Sequence, residues 1–284
     1  MIIKRIIYKS YLLIIIIGKE NDDKMLRKIM RIIGIYKLYE KWLWHQIKKG
    51  GMPSHIAIIL DGNRRWARRR GLPPWIGHKE GAKKVRETLR WLLDCGIKTV
   101  TLYVLSTENL KRNPVELEKL FNVFREYLKD ALNDNTFERY GVKFKAIGEL
   151  SLIPEDIRIL IKKLEEKTSR YDNFYLNVAM AYGGRIEIIN AVKNIVKDVL
   201  DEKLSINEIN EEVFEKYLFT SHLPNPSPDI IIRTSGEERL SNFLLWQSAY
   251  SELCFIDVYW PDFRKIDLWR AIRIYQRRKR RYGL

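Results

Sequence analysis

From Ser54 onward, short apolar runs rich in β-branched residues alternate with longer amphipathic stretches. The runs at 55–60, 98–105, 142–147, 174–179, 229–233 and 252–255 have the length and composition of strands. The stretches at 80–95, 114–133, 154–170, 185–200, 206–218 and 266–281 are the predicted helices. The period is clearest in 114–133, where Leu117, Leu120, Phe121, Phe124, Tyr127, Leu128 and Ala131 recur at i, i+3, i+4 and i+7. Strands separated by helices predict a single α/β domain, a six-stranded and mainly parallel sheet flanked by helices. Pro114 and Pro154 suit the first turn of a helix, where a missing N–H leaves no bond unmade. The segment 221–228 holds Pro224, Pro226 and Pro228 and reads as a loop.

The first fifty residues follow another pattern. Residues 2–17 are rich in Ile and Leu, with Lys4, Arg5 and Lys9 interspersed, and their uninterrupted apolar stretch is 11–17. That is far short of the ~20 residues that span a bilayer. No small-residue cleavage site follows it, which argues against a secretory signal. Residues 28–49 set basic residues among Ile, Leu, Tyr and Trp at roughly helical spacing. This fits a helix lying on an anionic membrane surface, and equally a helix packed on its own domain. The expected division is an extension over 1–50 and one globular domain over 51–284.

Composition changes the picture mainly through charge. Apolar residues make up 46% and charged residues 31% of the 284, which is ordinary, but the net charge of +16 implies an anionic partner. Nucleic acid, a membrane surface and a phosphorylated substrate all qualify. Cys95 and Cys254 are the only cysteines, too few for a disulfide framework or a zinc knuckle, and consistent with a cytoplasmic protein.

The candidate chemistry gathers at predicted strand ends. Asp61-Gly62-Asn63-Arg64-Arg65-Trp66 follows the first run. Ser106-Thr107-Glu108-Asn109 follows the second, with Arg112 a turn later. Arg233 ends the fifth, followed by Arg239, Leu240 and Ser241, and Glu252 lies at the last. Open α/β sheets bind ligands at the carboxyl ends of their strands. Turn amides and guanidinium forks match phosphate oxygens. A carboxylate among arginines ionises readily, and ionised oxygens beside phosphate suit magnesium. Two arginine groups suggest two diphosphates. Read locally, Asp61 also fits a helix cap, His78 a structural histidine, Glu252 an ion-pair partner, and the 114–133 stripe ordinary core. Phosphate-loop, dinucleotide and nucleophile-elbow motifs are absent.

Taken in order, the motifs resemble those of the cis-prenyltransferases, the undecaprenyl and dehydrodolichyl diphosphate synthases. The resemblance covers about 52–284. It rests on the stretch from His55 to Trp66, on Gly77-His78-Lys79-Glu80-Gly81, on 101–109, on Ala181-Tyr182-Gly183-Gly184-Arg185, on 233–247 and on Trp260-Pro261-Asp262-Phe263. It implies successive cis condensation of isopentenyl diphosphate onto an allylic primer, farnesyl or geranylgeranyl diphosphate, giving an undecaprenyl-class carrier-lipid precursor. It implies that Asp61 assists departure of the allylic diphosphate with Mg2+, and that Gly62, Asn63, Arg64, Arg65, His78 and Arg112 hold that group while Trp66 helps seat the substrate. Arg233, Arg239, Leu240 and Ser241 would serve isopentenyl diphosphate, with Glu252 a second magnesium ligand. Ser106, Thr107 and Glu108 would form the opposing wall with Asn109, the residue assigned a proton-accepting role. A neutral amide has no useful basicity near pH 7, so Asn109 is expected to position substrate while a diphosphate oxygen takes the proton. The resemblance further implies an apolar product tunnel, with the 114–133 helix as one wall, and a homodimer in which Arg281 and Gly283 reach the partner's site. Departures are Arg64 where many bacterial members have Gly, Pro74 where they have a basic residue, with Arg70 as substitute, and Leu110 where an aromatic is common.

Two other readings are weaker. A phosphatase with a strand-end nucleophilic Asp usually needs a second Asp two residues on, where this chain has Asn63. A nucleic-acid binder should spread its charge along a face with exposed aromatics, so no nucleic-acid partner is expected.

Overall fold

The computed structural model describes residues 35–278. The chain divides into two compact units, 1–50 and 51–284. In the first, the described part is helix α1 (Ile35–Ile47), where the rings of Tyr39 and Trp42 stack 5.5 Å apart. The apolar segment 2–17 lies outside the described residues.

The second unit is built on a six-stranded sheet. Its strands are β1 (His55–Ile59), β2 (Thr99–Tyr103), β3 (Val142–Ile147), β4 (Phe174–Ala179), β5 (Ile230–Thr234) and β6 (Glu252–Ile256). They are ordered β3-β4-β2-β1-β5-β6, and every pairing is parallel. All residues of β1, β2 and β5 are buried, as expected of central parallel strands covered on both faces. The described helices are α2 (Asn63–Arg68), α3 (Pro74–Asp94), α4 (Pro114–Asn133), α5 (Thr136–Tyr140), α6 (Glu155–Thr168), α7 (Gly184–Leu200), α8 (Glu211–Glu215) and α9 (Lys265–Arg277).

The helix expected over 266–281 ends at Arg277, and two departures from the sequence reading are larger. The helix expected at 80–95 begins at Pro74, which sits in the first turn. The helix expected at 206–218 is instead a 3-10 turn, Ile206–Glu208, followed by α8. Ser205 caps the first piece and Asn210 accepts from Val213 N to cap the second, so a second start signal interrupts the run.

Alternation along the strands gives the sheet two different faces. On one, Ala57, Ile59, Tyr103, Ile147, Ala179 and Ile231 pack with Tyr182, Phe243 and Leu244 into a core. Its amino-end half carries a polar chain. His55 Nδ1 lies 3.0 Å from Asn225 O, a contact only an N–H can make, so Nε2 accepts from Thr101 Oγ1 at 2.8 Å. Thr101 in turn accepts from Asn177 Nδ2, and Asn177 Oδ1 accepts from His222 Nε2. On the other face Val100, Leu102, Val104, Leu176 and Val178 line an apolar cavity of about 260 Å3, closed over by α3 and α4. The cavity runs the depth of the sheet, from Leu60, Asn63 and His78 at the carboxyl edge to Ile97, Val142, Phe137 and Phe174 at the amino edge.

Candidate active site

Leu60 leaves β1 at the carboxyl edge, and Thr234 at the end of neighbouring β5 ties the next residue down. Thr234 Oγ1 accepts from Asp61 N at 3.0 Å and donates to Asp61 O at 2.7 Å, while Trp260 N donates to the same carbonyl. The following Gly62 has φ +104, a left-handed turn in which a Cβ would meet the Tyr259 ring at 2.6 Å. Gly62, not Asp61, is the N-cap of α2, so the capping alternative for Asp61 does not hold. The carboxylate instead faces cations. Asp61 Oδ2 accepts from Arg233 Nη2 at 2.8 Å and lies 3.2 Å from Arg65 Nη2. Burial pushes the carboxyl up, but hydrogen bonds from Arg233 and Ser235 and the charges of Arg233 and Arg65 outweigh it and hold Asp61 below its ordinary range.

Asp61 therefore joins the two arginine groups that the sequence keeps apart. Arg233 is buried, donates to Ser241 Oγ at 2.8 Å and bonds the Arg239 carbonyl. Arg65 donates to Ser235 Oγ and Glu237 Oε1, and Glu237 pairs with Arg239 at 2.6 Å. Leu240 packs beneath, against the core. Ser235, Ser241, Asn242 and Leu244 all have positive φ, and such strain in non-glycine residues collects at sites the surrounding structure over-determines.

On the other side of Asp61 a polar pocket of about 230 Å3 is lined by Leu60, Asp61, Gly62, Asn63, Arg64, Arg65, Arg68, His78 and Arg112. Leu60, Asn63 and His78 also line the apolar cavity, so the two adjoin at these three residues. Burial, with the nearby charges of Arg112 and Arg64, lowers His78 to about 4 and keeps its ring neutral at pH 7. Its Nε2, Asn63 Oδ1 and Arg64 Nε are buried and lack a hydrogen-bond partner among the described residues. Burial and the like charge of Arg64 lower Arg112 as well. A pocket in which cations crowd one another is complementary to a polyanion.

The wall opposite is held locally. Ser106 Oγ accepts from Asn109 N at 3.1 Å, and Asn109 Oδ1 lies 3.4 Å from Ser106 N, so the Asn109 amide is engaged in shaping the turn. Thr107 Oγ1 and Asn242 Nδ2 donate to Glu108. Burial pushes Glu108 up, yet these and its other hydrogen bonds prevail and keep it below its ordinary value.

Several assigned residues lie elsewhere. Trp66 is outside the pocket lining, its Nε1 donating to Asp262 at 2.8 Å. Arg70 stacks 4.1 Å over the Trp66 ring and pairs with Asp262, so it does not substitute for a basic residue at Pro74. Arg68, two residues before Arg70, lines the pocket instead. Glu252 pairs in register with Ile230, itself level with Ile56, at the amino edge of the sheet. There it bonds Arg278 at 2.5 Å, the ion-pair alternative, so within one chain Glu252 does not reach an ion held by Asp61. Leu117 and Phe121 do not line the cavity; Leu120, Val123, Phe124, Tyr127, Leu128 and Ala131 are the face of α4 that does. Glu116, not singled out from sequence, stands against Arg64, His78 and Arg112. A first-turn acid after a proline reads from sequence as an ordinary helix-dipole partner. Arg281 and Gly283 lie outside the described residues.

No group of three or more metal-ligating side chains occurs among the described residues. One ionised carboxylate beside a polyanion pocket does fit magnesium, which is commonly held by one or two carboxylates and by phosphate oxygens.

Residues 59–283 match the family model described as undecaprenyl diphosphate synthase. The chain is 52% identical over 265 residues to the geranylgeranyl-diphosphate-specific tritrans,polycis-undecaprenyl-diphosphate synthase of Methanopyrus kandleri, covering 93% of this chain and 97% of that one. The enzyme of the same description from Methanocaldococcus jannaschii is 50% identical over 250 residues, 88% of this chain and 89% of that one. Among solved structures, lavandulyl diphosphate synthase from Lavandula x intermedia, in complex with dimethylallyl diphosphate, superposes with a TM-score of 0.80 at 34% identity, over 82% of this chain and 99% of that one.

Proposed function

The chain belongs to the undecaprenyl diphosphate synthase family of cis-prenyltransferases, and from that premise we propose that it extends geranylgeranyl diphosphate with isopentenyl diphosphate to an undecaprenyl-class polycis product. The substrates of this enzyme class are an allylic diphosphate and isopentenyl diphosphate. The observation that carries the assignment is the Arg-rich pocket lying side by side with the apolar cavity, the two sharing Leu60, Asn63 and His78. An allylic diphosphate has the same division, a polyanionic head on an apolar tail. The geranylgeranyl preference rests on the relatives' specificity.

In each cycle the C1–oxygen bond of the allylic diphosphate breaks, its electron pair leaves with pyrophosphate, the isopentenyl double bond attacks C1, and a proton is lost to restore a double bond. Arg64, Arg65, Arg68 and Arg112, with neutral His78 as a hydrogen-bonding group, hold the leaving diphosphate. Arg233, Arg239 and Ser241 hold the isopentenyl diphosphate on the other side of Asp61. Charge stabilisation of the leaving group should dominate the barrier. Asp61 would hold magnesium, which would supply neutralisation of the charge on the departing oxygens. Asn109 orients substrate, and a diphosphate oxygen receives the proton. The growing chain occupies the cavity. We further assign the chain a homodimeric state and place the basic, aromatic 28–49 segment at the membrane surface. Among the described residues no helix is long and apolar enough to cross a membrane.

The test is extension with isopentenyl diphosphate and magnesium, with geranylgeranyl and farnesyl diphosphate in separate reactions and the apolar products sized. Faster extension of the geranylgeranyl primer to undecaprenyl length is expected. Faster use of farnesyl diphosphate would overturn the primer assignment, and absence of extension with both would overturn the activity.

A further inference from the structure

Glu116 lies in the first turn of α4, which Pro114 starts and the Asn113 side chain caps by accepting from Val115 N. Its carboxylate is 13% exposed and projects among the cations of the polar pocket. Glu116 Oε1 lies 3.1 Å from Arg64 Nε, 3.8 Å from His78 Nε2 and 3.8 Å from Arg112 Nη1. None of these contacts has hydrogen-bond geometry: Glu116 Oε1, Arg64 Nε and His78 Nε2 are buried atoms without a bond partner among the described residues. Charge rather than a directed hydrogen bond therefore pairs this oxygen with Arg64 and Arg112, which with neutral His78 line the diphosphate pocket.

A buried charge paired without directed bonds is expensive to keep for stability alone. It suits a partner that must be exchanged. A diphosphate would draw on the same Arg64, Arg112 and His78, in bidentate geometry that Glu116 does not reach. We infer that Glu116 is a resident counter-anion that competes with the allylic diphosphate for Arg64 and Arg112 and so promotes release of pyrophosphate after each condensation. The inference rests on assigning this pocket to the allylic diphosphate. It makes Glu116 a positioning residue for turnover rather than a catalytic one, since it acts through the two arginines. A repeating enzyme has reason for such a group, because arginines that grip the leaving group too tightly would stall it before the next cycle.

The experiment is calorimetric binding of inorganic pyrophosphate, without magnesium, to the wild-type chain and to Glu116→Gln and Glu116→Ala, with folding of each checked by circular dichroism. Losing the competing charge should tighten pyrophosphate binding about tenfold, which is about 1.4 kcal/mol. Inhibition of steady-state extension by added pyrophosphate should strengthen by a similar factor, with the KM for the primer falling rather than rising. Glu116→Asp, which keeps the charge, should stay near wild type. Unchanged or weaker pyrophosphate binding in folded Gln and Ala variants would show that Glu116 merely orients the arginines, and would overturn the inference while leaving the pocket assignment intact. Failure of the wild-type chain to bind pyrophosphate would overturn the pocket assignment, and the inference with it.

Discussion

Asp61 accepts from Arg233 and is paired to Arg65 through one oxygen, so Asp61→Asn removes a charge on which both cation groups converge. Turnover should fall on the order of 100-fold or more, with KM for the primer moving much less. A raised KM at unchanged kcat would instead make Asp61 a ground-state binding group. His55 and His78 predict a pH effect on stability. Burial lowers each to about 4, whereas in the unfolded chain each titrates near 6.5. The unfolded state therefore binds protons first as pH falls. The native state keeps its full advantage above about pH 6.5 and loses it down to about pH 4. By pH 5 each histidine should have cost about 2 kcal/mol, readable as a fall in the urea midpoint. A midpoint flat between pH 7 and 5 would contradict the burial argument. Much of the candidate site was legible at this scale because Asp61 and Arg233 sit at strand ends, with Arg65 and Ser241 in the segments that follow. Which arginine of the run 68–70 faces the pocket was not legible, since that follows from Arg70 lying over Trp66. The place of Glu252 depends on sheet register.

The packing of α2 against α3 turns on a close approach. A Cβ on Gly77 would stand 2.0 Å from Asn63 O, and one on Gly81 would stand 2.3 Å from Asn63 Oδ1. Gly77→Ala must push backbone apart, so it should cost about 1–3 kcal/mol of stability. It should also weaken pyrophosphate binding by moving Asn63, a shift checked by thermal unfolding and calorimetry together. Unaltered stability would mean the two helices separate freely. At this scale periodicity found every strand, and α4 without error at either end, because Asn113-Pro114 is an unambiguous start. It missed α2 and α5, at six and five residues too short to show a period, and it fused the 3-10 turn with α8 across the cap at Asn210.

Across the whole unit, the α4 face that meets the sheet separates cavity wall from ordinary helix surface. Val123→Phe should shorten the products, whereas Leu117→Ala, off the lining, should leave their length unchanged while the first condensation proceeds in both. Sizing of the products decides it, and the reverse pattern would remove the cavity as the product's seat. The stripe on α4 was visible in the sequence, but its two faces were not, because both are apolar and only the sheet distinguishes them. The strand order carries a consequence for biosynthesis. β1 pairs with β2 early in the chain, but its other edge waits for β5, with Ile56 opposite Ile230. Until then an apolar strand shows an open edge, a template for aggregation. The same late pairing delivers Arg233 to Asp61. A chain stalled before β5 thus keeps an open strand edge and lacks the Arg233–Asp61 pair, and closing the sheet ends both conditions together. An assembled Arg233–Asp61 pair in this molecule is a certificate that synthesis has passed β5.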